Sequence, residues 1–200
     1  THSVLVVPAS LPVNSLKEFV AYAKAKPGLP YANPGTGSSL HLGAELFKQV
    51  AGIDLTPINY KGQSQALPDL LNGQVAFKVI AIALVTSHIK AGKLKALAVV
   101  ADKRSPLLPD VPTLIEAGYP DAAVVAWYGL VTRAGAPRDV VAKFNADINR
   151  VMQSPEVVSR IEGLGGASVK PMTADEIDAL IRDDVDRWGA VIRKAGIKGE

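Results

Sequence analysis

Cysteine is absent from the 200-residue chain. That absence removes disulfides, thiolate nucleophiles and cysteine-ligated metal or iron–sulfur sites together. It suits an oxidising periplasm, where a stray thiol is a liability, yet many cytosolic chains also lack cysteine, so the compartment stays open. Histidine is scarce too: His2, His41 and His88 are far apart and show no His-x-x-x-His spacing, so neither a metal nor a cofactor is expected. No apolar run reaches the ~18 residues of a membrane-spanning helix. Clustered basic charge is also missing. Lys and Arg number 22 against 19 Asp and Glu, giving a net charge of +3 and a pI near 9.1, and they are scattered, which argues against a nucleic-acid partner. Hydrophobic residues at 48% and charged residues at 20% are those of a globular chain, which excludes disorder, collagen-like and coiled-coil readings.

Short β-branched runs alternate with helical patterns. Strands are expected at residues 4–7, 30–32, 56–60, 75–80 and 95–100, with helices at 15–26, 38–50, 63–72 and 84–91. That rhythm implies a mostly parallel sheet covered by helices. Ser15 with Glu18, and Thr173 with Glu176, form capping-box patterns in which each side chain satisfies an orphan N–H at a helix start. The second opens a long helix whose apolar positions Ile177, Leu180, Ile181, Trp188, Val191 and Ile192 are expected to cover a sheet, with Asp183, Asp184 and Arg187 facing water. Residues 102–120 carry four prolines and read as a connection between lobes. An apolar run at 122–131 follows, and helices are expected at about 137–152 and from Pro155.

The most informative segment, residues 33–41, sits between a short strand and an amphipathic helix. Gly35 and Gly37 let the backbone turn and approach a ligand closely, while the N–H groups after Gly37 point out of the positive end of the helix. Thr36, Ser38 and Ser39 add hydroxyls, and the loop suits anionic oxygens. Leu40 stands where G-x-G-x-x-G needs its third glycine, and the lysine of a phosphate-cradling loop is missing. A tight strand-to-helix turn with Ser38 or Ser39 as a plain cap has the same sequence. Tyr60, Lys61 and Gly62 form a second such turn, so two helix starts are expected to converge at the carboxyl ends of neighbouring strands.

Two other classes compete. An enzyme acting on a phosphorylated or acyl substrate through the Gly-rich loop needs a general base, and His41 is the nearby candidate. Residues 62–66 fall short of a G-x-S-x-G elbow, because Ala66 replaces the final glycine. An effector-sensing domain of a transcriptional regulator requires a DNA-binding helix pair that the sequence does not contain. Trp127 and Tyr128 line a cleft or fill a core.

The segments 31–42, 57–62, 70–75, 88–99, 103–113, 127–130 and 195–198 resemble, in order and spacing, the Bug-type solute receptors of tripartite tricarboxylate transporters. The resemblance implies an α/β, two-lobed periplasmic binding protein of the type II-like, Venus-flytrap kind. It implies no enzyme, but a receptor that closes on a small organic carboxylate (a dicarboxylate, tricarboxylate or related anion) and delivers it to membrane transporter subunits. It also implies that residues 1–123 are the second, ligand-binding lobe, nearly complete, and that 124–200 are the crossover and the C-terminal part of an incomplete first lobe. Thr36, Gly37, Ser38 and Ser39 match the family's binding loop, Tyr60, Lys61 and Gly62 its neighbour, and Trp127 a position near the crossover. Gly35 and His41 join them as expected ligand-binding residues. Many relatives carry Asp where this chain has Ala76 and Ile80, so no amine-binding acid is expected from that strand. An incomplete lobe exposes a sheet edge, through which a homo-oligomer is expected.

Overall fold

The computed structural model describes residues 2–123, 127–163 and 171–198. Its first strand, β1 (Ser3–Pro8), is apolar on both faces: Leu5 and Val7 enter one hydrophobic core, Val4 and Val6 the other. A strand of that kind belongs in the middle of a sheet covered on two sides. It lies between β4 (Lys78–Ala81) and β5 (Leu94–Val100) and runs antiparallel to both. β2 (Leu29–Asn33) and β3 (Leu55–Asn59) pair in parallel. Phe77, one residue ahead of β4, joins the two groups through a parallel bridge to Tyr31, with Ala32 N–H donating to the Phe77 carbonyl at 2.9 Å. The spatial order is therefore β3-β2-β4-β1-β5, with four strands parallel and β1 reversed. The expectation of a mostly parallel sheet holds for those four. Composition does not encode strand direction, which the entry point of the chain decides.

One face is covered by α1 (Leu16–Ala25) and α2 (Ser39–Ala51), the other by α3 (Leu67–Leu71) and α4 (Ile82–Lys90). α1 buries Leu16, Phe19, Val20 and Ala23, the spacing of one helical face. Ser15 Oγ accepts from Glu18 N–H at 3.2 Å, but the Glu18 carboxylate reaches past Ser15 to the Asn14 N–H at 2.7 Å, so the expected capping box is displaced by one residue.

Residues 102–120, expected as a connection between lobes, pack along the sheet. Val99 exchanges hydrogen bonds with Pro112 and Leu114, and Thr113 forms a parallel bridge to Val99, so the segment covers the outer edge of β5. Its prolines suit an edge that accepts no further strand.

Beyond it lie α5 (Arg138–Met152), α6 (Pro155–Gly163) and α7 (Ala174–Ala195). Thr173 and Glu176 form the full capping box at the start of α7. The helix does not cover a sheet as expected: it packs against α2 and α5, and Val191 is its one buried residue. Helical periodicity announces an apolar face without saying what meets it. Asp184 and Arg187 do not simply face water either, since they bond Trp127 and the Ala123 carbonyl. Of the apolar run 122–131, residues 124–126 lie outside the described residues. Tyr128, Leu130 and Val131 are exposed, so of the two alternatives, a cleft lining or a core, Tyr128 does not fill a core.

Candidate functional site

β2 and β3 are adjacent and parallel, so the loops that leave their carboxyl ends, residues 34–38 and 60–63, emerge side by side. Asn33 clamps them. Its Nδ2 donates to Asn59 Oδ1 at 2.8 Å, its Oδ1 accepts the Gly35 N–H at 3.2 Å, and its carbonyl accepts the Tyr60 N–H at 2.8 Å. The third neighbouring strand is latched as well, because Gln63 Oε1 accepts the Ala81 N–H at the end of β4 at 2.9 Å. The expected convergence of helix starts is thus present for α2. After β3 the chain forms only a 3-10 turn (Ser64–Ala66) and the five-residue α3, too short to act as a second dipole.

Gly37 adopts φ +73° and Gly62 φ +122°, conformations that a side chain disfavours. Ser38 then caps α2, its Oγ accepting the His41 N–H at 3.3 Å. Thr36, Gly37 and Ser39 are exposed. Among the described residues, no hydrogen-bond acceptor engages the amides of Thr36, Ser39 or Leu40, so the loop presents N–H groups and hydroxyls with no intramolecular partner. Replacing Ser38 with alanine is expected to cost about 1 kcal/mol of stability through loss of the cap. Thermal unfolding measures it, and an unchanged midpoint would contradict the capping role.

His41 does not join the exposed set. It is 5% exposed, and its Nδ1 accepts the Gly37 N–H at 3.0 Å. Behind it, Glu45 Oε1 lies 3.9 Å from His41 Nε2 and accepts from Tyr31 OH at 2.5 Å and Lys48 Nζ at 2.8 Å. Burial, and then Glu45, push the Tyr31 phenol far up; burial lowers the His41 imidazole against the opposing pull of Glu45. The sequence reading missed this Glu45–Tyr31–Lys48 support. Its signal was the spacing of His41, Glu45 and Lys48 along one helix face.

Lys61 is exposed at the tip of the second loop, with its amide donating to Gln65 Oε1 at 3.1 Å. Tyr60 turns its hydroxyl away to Asp69 Oδ2 at 2.6 Å, and burial and that bond push its phenol up to about 12. Trp127 is 39% exposed and donates from Nε1 to Asp184 Oδ2 on α7 at 2.7 Å; no hydrogen bond ties it to either loop. Ala76 and Ile80 are buried, Ile80 within the second apolar core. A separate groove of about 380 Å³ lies between the start of α1 and residues 110–117, where Asp110 and Glu116 stand with Lys17. Among the described residues no cluster of metal-ligating side chains occurs.

A mixed sheet with helices on both faces, whose loops at the carboxyl ends of adjacent parallel strands emerge side by side, is the α/β architecture that this chain shares with solved periplasmic binding proteins. Residues 1–197 match the receptor family of the tripartite tricarboxylate transporters, and the chain belongs to that family. It is 36% identical over 196 residues to protein BugT of Bordetella pertussis, covering 98% of this chain and 60% of BugT. The structure of Rpa4515 from R. palustris with adipate superposes with a TM-score of 0.80 at 29% identity, covering 98% of this chain and 66% of that one. MatC from Rhodopseudomonas palustris with bound malate gives 0.78 at 31% identity, covering 96% and 66%. The chain therefore spans about 60% to 66% of these relatives' own length. The family is one of solute receptors, and the enzyme reading of the Gly-rich loop falls with that membership.

Proposed function

We propose that this chain holds a small organic carboxylate for a tripartite transporter in the membrane, from the periplasmic side. Residues 1–123 act as the ligand-binding lobe, and residues 124–200 act as the crossover and return of the other lobe. The observation that carries the reading is the set of unengaged amides at Thr36, Ser39 and Leu40, on an exposed loop at the start of α2. Adipate and malate in two structural relatives support the class of ligand.

The energetics fit. Taking a carboxylate out of water costs several kcal/mol unless donors replace its hydration. Hydrogen bonds to a charged group return roughly 1.5–3 kcal/mol each, and a helix start adds about 0.3–1 kcal/mol. A few such donors reach the roughly −8 kcal/mol of micromolar binding without an arginine clamp. The Thr36, Ser38 and Ser39 hydroxyls and the Gly35, Gly37 and Gly62 backbone shape the cradle. Lys61 supplies the exposed cation, and Tyr60 and Trp127 border the cleft. Closure of two lobes then gives the transporter its signal. A homo-oligomer formed by edge pairing has weaker support, because the outer strand β3 carries Pro57, which offers no N–H.

Calorimetry with malate, adipate and a tricarboxylate, beside an assay for consumption of each, tests the proposal. Micromolar binding without turnover is expected, together with at least tenfold weaker binding of the matching diamides, which lack the charge. Equal binding of acids and amides, or turnover, would overturn it.

A further inference from the structure

The 3.0 Å contact from the Gly37 N–H to His41 Nδ1 fixes the protonation state of the ring. An imidazole nitrogen that accepts carries no hydrogen, so the ring proton sits on Nε2, on the side of Glu45. The backbone N–H of the same histidine donates to Ser38 Oγ at 3.3 Å, which closes a small ring of bonds through residues 37, 38 and 41. The amides of Thr36, Ser39 and Leu40 flank this ring in the chain. At 5% exposure the imidazole itself is withheld from a ligand.

We propose that His41 is a positioning residue whose uncharged imidazole, by accepting the Gly37 N–H, holds the loop's unengaged amides in place, and that protonating it releases the loop and weakens anion binding. The inference rests on the proposed carboxylate-binding role of the loop. In the imidazolium both nitrogens donate, so the Nδ1 proton would face the Gly37 proton and the contact must open. Two charged groups act on the ring, both from α2: Glu45 favours the proton and Lys48 opposes it. From β2, Tyr31 bonds the same Glu45 oxygen, and Lys48 neutralises the carboxylate, so burial prevails and the folded ring titrates below its ordinary value. The sign follows: the folded state takes up this proton less readily than a free imidazole. The contact is intact above about pH 6.5 and is lost as pH falls through the lower folded value. A histidine that touched the anion directly would give the opposite trend, since its charge would attract the carboxylate.

The test has two arms on the full chain. In isotope-labelled, ligand-free protein, a through-hydrogen-bond nitrogen–nitrogen coupling between Gly37 N and His41 Nδ1 is expected at about pH 7.5 and is expected to vanish on acidification. Its absence at the higher pH overturns the proposal, whatever the ligand does. In calorimetry with malate, His41→Ala is expected to bind about tenfold more weakly. His41→Asn, whose Oδ1 occupies nearly the place of Nδ1, is expected to recover most of that loss. As pH falls from about 7.5 through the titration of the buried ring, below its ordinary range, the wild-type affinity is expected to fall several-fold relative to His41→Asn, a ratio from which titration of malate itself cancels. A ratio that rises with acid, or an Asn variant as weak as the Ala variant while folded, overturns the positioning role. Failure of the wild type to bind malate at all would count against the carboxylate reading instead, and the coupling would still decide the role of His41.

Discussion

Replacing Phe77 with alanine is expected to lower the unfolding free energy by about 3–5 kcal/mol. Its ring is fully buried and stacks on Phe19 at 5.1 Å and on Phe47 at 5.8 Å, and it meets Tyr31 edge-on at 6.2 Å. The Phe77 ring thus gathers α1, α2 and β2, and Phe47 in turn meets Tyr119, in the segment after β5, at 5.6 Å. The backbone of the same residue carries the bridge between β2 and β4. Removing the ring leaves a cavity that this many fixed neighbours cannot collapse into, which places the cost at the upper end for large-to-small changes. A domain of this kind has about 5–15 kcal/mol in total, so the variant is expected to lie near the margin of folding. Phe77→Leu is expected to cost far less because most of the volume remains. Denaturant unfolding followed by circular dichroism measures both, and a loss under about 1 kcal/mol for the alanine variant would contradict the central role of this ring.

Replacing Lys78 with methionine is expected to stabilise the protein. Lys78 is fully buried, pairs with Val6 of β1, and among the described residues its Nζ has no hydrogen-bond partner. By strand alternation it shares a face with Ile80, which lies in the second apolar core. Burial pulls the amine down to about 8. A lysine lowered in this way has its full penalty below about pH 8. The penalty shrinks as pH rises and is gone above the ordinary value near 10.5. At 1.36 kcal/mol per pKa unit, the penalty at neutral pH is roughly 3 kcal/mol. Methionine keeps much of the volume without an amine to desolvate. The expected result is a gain of roughly 2–3 kcal/mol at pH 7 that fades toward pH 10.5, with wild-type stability rising over the same interval. Equal stability of the two proteins across that range would show that the ammonium has a partner in solution.

The alternation of strand and helix was legible because each element carries its own periodicity. Leu16, Phe19, Val20 and Ala23 mark a helix face, and the run Val4 to Val7 marks a strand buried on both sides. The reversed direction of β1 was not, since nothing in a four-residue apolar run distinguishes parallel from antiparallel pairing. Prolines between residues 102 and 120 read as a linker because proline breaks ladders; the same property makes that segment a good cover for the β5 edge. The contact of α7 with α2, including Gln49 Nε2 to the Val191 carbonyl at 3.3 Å, joins residues far apart in sequence that no local pattern couples.

At the site the glycines and Ser38 were legible, because positive φ and helix capping require those residue types. His41 was recognised by its nearness to the loop, but whether its ring turns outward to a ligand or back to Gly37 is a rotamer question that sequence spacing does not answer. Tyr60 and Trp127 were similar: their polar atoms are engaged by Asp69 and Asp184, one of them on an element more than fifty residues away.

The central claim is that backbone amides at the start of α2 receive the carboxylate. Adding malate to isotope-labelled protein and following every backbone amide tests it most directly. The largest displacements are expected at Thr36, Ser39 and Leu40, with smaller ones at Gly62. Saturable displacements confined to other residues, with those amides unmoved, would contradict the account.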